Sequence, residues 1–418
     1  MEKVKAVVIG AGCGGLSAAI TLKKNGIDDV LVIEKDAEAG GILEQCIHNG
    51  FGLETFREQL SGPSYAERFI REAEKLDVRI LLNTMVTSIT KDRIIEYVNE
   101  SGVHHVAADA VILAVGCYER PRGAVNIMGD RCSGVYTAGQ AQRYLNMDGY
   151  LVGRRVFILG SGDIGLIMAR RMTLEGAEVL GVAEIMPYSN GLPRNIKQCL
   201  EDFNIPLYLS HTVTRTFGRD RLERIEVMEV DENRNPVAGS EKYFDADVLL
   251  LSVGLIPENH LAEHAGIEIS PATKGPVVDD RYMTSAEGIF ACGNGLHVHD
   301  LADFVVLQAK QAAEGAAEYL KNPSSRGAAV KIRNGKNVSY CVPSYVHPAD
   351  PEGNVEFFYR VRKPLDHAVL KISSGTAVLR TIKKQKMLPS VMEKAVLTKK
   401  EIASAEEDFI IEIEEAAE

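Results

Sequence analysis

The chain has 418 residues, 45% of them hydrophobic and 25% charged, and carries a formal net charge of −11. At roughly 100–200 residues per domain, this length divides into two to four domains, long enough to bury real cores. The acidic balance argues against a nucleic-acid or anionic-membrane surface, because both attract Lys/Arg-rich faces. It leaves a nucleotide ligand open, since helix N-termini and backbone amides hold phosphates without net positive charge.

Seven cysteines (Cys13, Cys46, Cys117, Cys132, Cys199, Cys292 and Cys341) are widely spaced, and no Cys-x-x-Cys pair occurs. This excludes a secreted disulfide framework as the simplest reading, and with it a zinc site or a protein-bound iron–sulfur cluster. No metal site is expected. No signal peptide precedes the strand-like Val4–Ile9, and no apolar run approaches the ~20 residues a membrane helix needs. A cytoplasmic protein is expected.

In chain order, residues 5–9 (KAVVI) read as a buried strand. The turn GAGCGG follows at 10–15, and then a helix over 16–25 that stops at Gly26. Residues 30–33 form a second buried strand, closed by Glu34. The same unit recurs: a strand over 155–159, the turn GSGDIG at 160–165, a helix over 166–175, and a strand over 178–183 closed by Glu184. Gly10 to Glu34 and Gly160 to Glu184 are both 24 residues. This is an internal duplication of a β-turn-α-β unit.

A second echo supports it. DAVILAVG (109–116) and DADVLLLSVG (245–254) each give an acidic start, a buried strand and a glycine. A further strand, GIFAC (288–292), ends at Gly293-Asn294-Gly295, and a helix over 301–320 follows. Residues 78–99 and 222–237 alternate apolar and polar positions, as a β-meander does. Pro323–Gly327 reads as a linker. Beyond it, VEFFYRVR, AVLKISSG and TAVLRTI predict a small β-rich domain with an acidic, frayed end.

A lone GxGxxG is weak evidence; its strand–turn–helix context and the acid after the second strand give it weight. Gly10 allows the tight turn, Gly12 lets the backbone approach a pyrophosphate, and Gly15 lets helix and strand pack closely. The helix dipole and its open N–H groups then favour the phosphates, and Glu34 accepts from ribose hydroxyls. Gly160, Gly162, Gly165 and Glu184 repeat these roles.

Taken together, these motifs resemble the two-dinucleotide-binding-domain flavoproteins, the pyridine nucleotide–disulfide oxidoreductase superfamily, over residues 1–320. The resemblance implies FAD at the first motif and NAD(H) at the second. Ala114-Val115-Gly116 is similar to the family's ATG motif. Gly293-Asn294 falls at its glycine–aspartate motif, with Asn294 replacing the acid that contacts the ribityl chain. The helix after 301 is implied to aim its N-terminus at the flavin's pyrimidine side. The implied FAD set is Gly10, Gly12, Gly14, Gly15, Glu34, Lys35, Gly41, Ala114, Gly116, Gly293 and Asn294. The implied NAD set is Gly160, Gly162, Asp163, Ile164, Gly165, Glu184 and Gly254. The fold expected is α/β: an FAD domain over 1–120 and 285–325, an inserted NAD(H) domain over 121–284, and a β-rich domain over 328–418.

The departure is the missing redox disulfide, since GGILEQCIHNGFGL (40–53) holds only Cys46. A dithiol relay has nothing to run on. The 40–53 tract and the layout resemble the flavoprotein subunits encoded with bacterial glycerol-3-phosphate dehydrogenases and the opine-oxidase α-type subunits. That branch implies an oligomeric complex with a partner dehydrogenase subunit carrying flavin or an iron–sulfur cluster.

Hydride transfer needs stacked cofactors more than acid–base residues, so the catalytic candidates are few: Cys46 and His48. Cys46 reads either as a reactive thiol kept ionised by His48, or as a small buried apolar residue; the second is preferred. His297 and His299 approach the flavin or a docking edge, or are ordinary loop residues. Cys13 reads as a packing residue, Arg120 and Arg122 as surface or hinge residues, and Arg194 as a phosphate contact on spacing alone. Besides the electron-transfer subunit, two functions remain: a self-contained NADH oxidase or peroxidase, and a non-catalytic FAD-bound scaffold. Glu184 repels a 2′-phosphate, and Ile185-Met186-Pro187 offers no arginine clamp. NADH is therefore expected over NADPH. Steady-state kinetics check this, and comparable kcat/KM with NADPH contradicts it.

Overall fold

The computed structural model describes residues 1–323, 326–349, 353–405 and 407–415. Ser324 and Ser325 of the expected linker, and the acidic end past 415, lie outside the described residues.

Strand β1 (Glu2–Ile9) is buried continuously from Ala6, and helix α1 (Cys13–Lys24) follows the glycine turn. Strand β2 (Val30–Ile33) is wholly buried and pairs in parallel with β1 from Ala6↔Val30 to Ile9↔Ile33. Unbroken apolar runs suit parallel strands covered on both faces. Helix α2 (Gly62–Lys75) starts at Ser61, whose hydroxyl accepts from the Ser64 N–H, and buries Tyr65, Ala66, Phe69 and Ala73 at helical spacing. Strands β3 (Arg79–Leu81), β4 (Met85–Ile89), β5 (Ile94–Asn99) and β6 (Gly102–Leu113) complete this half.

The sheet order is β3-β2-β1-β6-β5-β4. β6 has two roles. Gly102–Ala107 pairs antiparallel with β5, in the meander expected there, while Ala110–Leu113 pairs in parallel with β1. Its burial changes along its length from alternating to continuous, as those two settings require.

The chain crosses into a second unit, Tyr118–Ile256. There β7 (Val135–Thr137), α3 (Ala138–Asn146), β8 (Arg155–Leu159), α4 (Asp163–Leu174), β9 (Glu178–Glu184) and β10 (Leu207–Leu209) follow one another. Next come β11 (His211–Phe217), β12 (Arg224–Glu229), β13 (Lys242–Phe244) and β14 (Val248–Leu251). A parallel sheet runs β7-β14-β8-β9-β10, and β11, β12 and β13 form an antiparallel sheet. β14 lies beside β8 as β6 lies beside β1, which confirms the duplication.

The return to the first unit comes at Ile256–Pro257, not near 284 as the sequence suggested. Ala262, Ala265, Ile267, Val278 and Tyr282 all pack into the first unit's core, which claims this segment. Strand β15 (Ile289–Ala291) pairs in parallel with β6, and α5 (Ala302–Lys321) lies against α1. A Cβ on Gly14 would stand 3.1 Å from Val305 Cγ1, and Ser17 Oγ donates to the Val306 carbonyl.

The β-rich segment builds its own core around Phe357, Tyr359, Leu370, Ile372 and Phe409. Its strands are β16 (Val330–Asn334), β17 (Val338–Val342), β18 (Tyr345–Val346), β19 (Val355–Val361), β20 (Leu365–Ser374), β21 (Ala377–Met387), β22 (Glu393–Leu397) and β23 (Phe409–Glu415). They form a sheet β18-β16-β23-β20-β21 and a second sheet β17-β19-β22. This segment belongs to the first unit by contact. One fastening is a buried ion cluster: Arg326 Nη1 and His347 Nδ1 lie 2.8 and 2.9 Å from Asp280 Oδ1, with Asp279 alongside.

Asp279, Asp280 and His347 bring possible metal-ligand atoms within 4.8 Å of one another, and the Arg326 guanidinium already sits against both carboxylates, 2.8 Å from Asp280 and 3.5 Å from Asp279. Replacing Arg326 with Ala leaves two buried acids with His347 as their remaining side-chain partner. The expected loss is about 3–5 kcal/mol in urea unfolding, and an unchanged midpoint contradicts the clasp.

Candidate dinucleotide-binding sites

Strands β1 and β8 end in the same construction. The N–H of Gly10 donates to the Ile33 carbonyl at 2.8 Å, and that of Gly160 to the Ala183 carbonyl at 2.7 Å. Both glycines hold positive φ, +103° and +98°. A Cβ on Gly10 would lie 2.5 Å from Ala114 O, and one on Gly160 2.0 Å from Ser252 O. On Gly15 it would lie 1.8 Å from Gly10 O, and on Gly165 2.7 Å from Ser252 Cβ. The chain's own packing demands glycine at these four positions.

Gly12 and Gly162 differ. Their φ values, −69° and −65°, suit any residue. A Cβ on Gly12 would meet nothing within 4 Å, and one on Gly162 only Ser252, whose Oγ is 3.3 Å away. Each is the N-cap of its helix, and neither helix has a side-chain cap. Neither N-cap side chain thus occupies the first-turn N–H groups, and the helix dipole there favours an anion. Of the α4 set, only the Gly165 N–H has a hydroxyl partner, Ser252 Oγ. Glycine without an internal reason, over an uncapped helix, fits a pyrophosphate.

The two acids are held alike. Glu34 Oε2 accepts from the Ala11 N–H at 2.6 Å and Oε1 from the Asp36 N–H at 2.9 Å. Glu184 Oε2 accepts from the Ser161 N–H at 3.0 Å and from the Ser161 hydroxyl at 2.6 Å, which Ala11 cannot supply to Glu34, and Oε1 accepts from the Met186 N–H at 3.0 Å. Both are buried, each tying its strand end to its glycine turn and keeping acceptor capacity for a ribose.

The remaining first-unit residues gather around the first turn. Gly41, at φ +63°, would place a Cβ 3.1 Å from Gly12 Cα. Gly40, not foreseen, donates to the Ala11 carbonyl; the Gly-Gly pair was its signal. Ala114 extends β6 beneath Gly10, and Gly116 has φ +76°. Lys35 is exposed. In the second unit, Asp163 turns aside: its Oδ1 accepts from Leu192 N and Asn195 Nδ2. Ile164 lies in the first turn of α4, and Gly254 has φ +104°. Arg194 is exposed, and Arg122 is tied to Asp130 O and Thr216 Oγ1.

Asn294 Oδ1 accepts from the His299 N–H at 3.0 Å. Because that partner is a donor, the amide oxygen must face it, and the NH2 group faces away. On its other side Asn294 therefore presents a donor, where an aspartate would present only acceptors.

His297 and His299 are buried against Phe358. Gln308 bridges them: its Oε1 accepts from the Gly293 N–H and His299 Nε2–H, and its Nε2 donates to His297 Nε2. Burial pushes both imidazoles down, His299 to about 4, so both are neutral at pH 7. Both rings are buried, and both Nδ1 atoms lack a partner, so neither is a surface loop histidine.

Cys46 Sγ donates to the Ile42 carbonyl, and burial pushes the thiol up to about 12. This opposes the ionised-thiol reading. His48 stacks at a tilt on Phe51, with ring centroids 5.2 Å apart. All seven cysteines are thiols. Sequence reasoning missed Asp303, a buried acid in the first turn of α5 that accepts from the Gly52 and Thr55 N–H groups. An acid in a helix's first turn was the available signal.

The model of the pyridine nucleotide-disulphide oxidoreductase family matches residues 4–318. The chain belongs to this family. It is an FAD-dependent pyridine nucleotide oxidoreductase that uses FAD and NAD(P)H. It is 27% identical to the glutamate synthase [NADPH] small chain of Escherichia coli over 360 residues, covering 76% of this chain and 69% of that one. It is 24% identical to an opine oxidase subunit of Agrobacterium tumefaciens over 346 residues, covering 78% and 68%. Thioredoxin reductase of T. acidophilum shares the fold, with TM-score 0.62 and 24% identity over 76% of this chain and 99% of that one.

Gly12→Ala is expected to fold normally by circular dichroism yet lose FAD affinity by roughly tenfold or more, because only the pyrophosphate contests the methyl group. Full FAD occupancy in that variant contradicts this placement.

Proposed function

We propose that the chain passes hydride between NADH and FAD and exchanges the electrons with a separate dehydrogenase subunit carrying flavin or an iron–sulfur cluster. The observation that carries this is the duplicated uncapped turn in a chain with no paired thiols. Two dinucleotide cradles allow hydride exchange, and with Cys46 held protonated there is no sulfur route onward. FAD, when bound, supplies two-electron chemistry with the nicotinamide on one side and an acceptor or donor on the other.

The chain's own residues bind and orient. The first-turn N–H groups of α1 hold one pyrophosphate, and those of α4 the other. Glu34 and Glu184 fix the two riboses, and Glu184 selects against a 2′-phosphate. Asn294 donates to the ribityl chain. The relatives named as a small chain and as one subunit of an oxidase support work within a complex. The dehydrogenase of the glycerol-3-phosphate type is the expected partner by resemblance.

Anaerobic titration with NADH should bleach the flavin with one equivalent per FAD. The purified chain should consume oxygen slowly and reduce an artificial acceptor quickly. Cys46→Ala should leave these rates within about twofold, since a protonated thiol is a poor nucleophile. Rapid oxygen turnover by the chain alone supports a self-contained oxidase instead. No flavin bleaching leaves only a scaffold.

A further inference from the structure

Arg360 lies on β19, far in sequence from the dinucleotide turns. Its half-buried guanidinium gathers four acceptors. Nε donates to Tyr340 Oη at 3.0 Å, and Nη1 to the Pro389 carbonyl at 3.2 Å. Nη2 donates to the Val298 carbonyl at 3.2 Å and to the Asp300 carboxylate. Asp300 Oδ2 also accepts from the Met392 N–H at 2.5 Å. The β-rich domain thus grips residues 298–300 from two strands' ends. Phe358 and Tyr340 press on the His297 and His299 rings at 5.7–5.9 Å.

This short loop is the connection between the Gly293-Asn294 turn and α5. The His299 N–H, next to both gripped residues, is what orients the Asn294 amide. The Gln308 bridge pins the same loop to the Gly293 N–H from the other side. Among the side-chain atoms of this loop, the Nδ1 atoms of His297 and His299 are buried without a hydrogen-bond partner.

We propose that Arg360 is a positioning residue for the flavin nucleotide: the β-rich domain, through Arg360 and Asp300, sets the loop that turns the Asn294 amide donor toward the ribityl chain. This rests on the assignment of Asn294 to FAD. It gives the C-terminal domain a part in cofactor binding that no motif in it announces. Lysine cannot replace the guanidinium, because a single ammonium cannot span four acceptors spread over Val298, Asp300, Tyr340 and Pro389.

The test uses the full chain, stripped of FAD and reconstituted, with wild type, R360K, N294A and the double variant. FAD affinity is read by flavin fluorescence, the bound flavin's environment by visible circular dichroism, and NADH affinity by titration. R360K and N294A should each weaken FAD by roughly tenfold and alter the flavin spectrum, and NADH affinity should stay within about twofold. The double variant should be no weaker than N294A alone, because the two residues act in series. Additive losses, or a fall in melting temperature with unchanged FAD affinity and spectrum, overturn the proposal. Should R360K fold poorly, D300N removes the same ion pair at constant shape and is read in the same way. Wild type that takes up FAD, combined with N294A that binds it equally well, overturns the Asn294 assignment itself.

Discussion

Helices α1 and α4 each begin at a glycine with no side-chain cap, and much of the structure is arranged around that shared feature. A serine or aspartate at the N-cap would satisfy the first-turn N–H groups of α1 and α4 and add about 1 kcal/mol of stability to each. Glycine stands there instead, with ordinary dihedral angles and room for a side chain. The surrounding features hold the gap in shape. Gly10 and Gly15 bring β6 and α1 close enough to fix the turn, and Glu34 ties its far side to β2. Gly160, Gly165 and Glu184 do the same in the second unit. An anion at these ends completes a hydrogen-bonding set that the chain leaves incomplete.

What could be read from the sequence follows the range of the interactions. β2 and β8 match their sequence readings to the residue, because a continuous apolar run between turn signals has one plausible reading. The glycine turns and their acids are local as well, within 24 residues of one another, and are held as their spacing implied. The double role of β6 was harder to see, since its two halves obey different burial rules within one strand. The return crossing at 257 was misplaced because residues 257–284 carry no clear period: one short helix, His260–His264, and isolated bridges. Their allegiance is settled only by side chains buried in the first unit.

The site was legible up to its backbone and no further. His297 and His299 were noticed, but not that they are buried against Gln308 and Phe358. Arg360 meets Asp300 across 60 residues, and Gly52 meets Asp303 across 251. Such pairings follow from how domains dock, and no spacing rule encodes them. Cys46 shows the opposite case. The residue type invited an ionised thiol, and its surroundings push the thiol pKa up instead.

The second unit is spliced into the first, leaving at Cys117 and returning at Pro257. During synthesis the first 117 residues emerge with β1, β2 and β6 but without β15 and α5, which close their sheet and cover α1. The inserted unit, by contrast, is contiguous and can complete itself as soon as it leaves the ribosome. The flanking unit must close a loop of an entire domain, and a folded insert shortens that loop to the gap between its own two ends. The order of assembly expected from this layout is inverted with respect to the chain: the inserted unit can mature first, and the flanking unit waits for residues made after it.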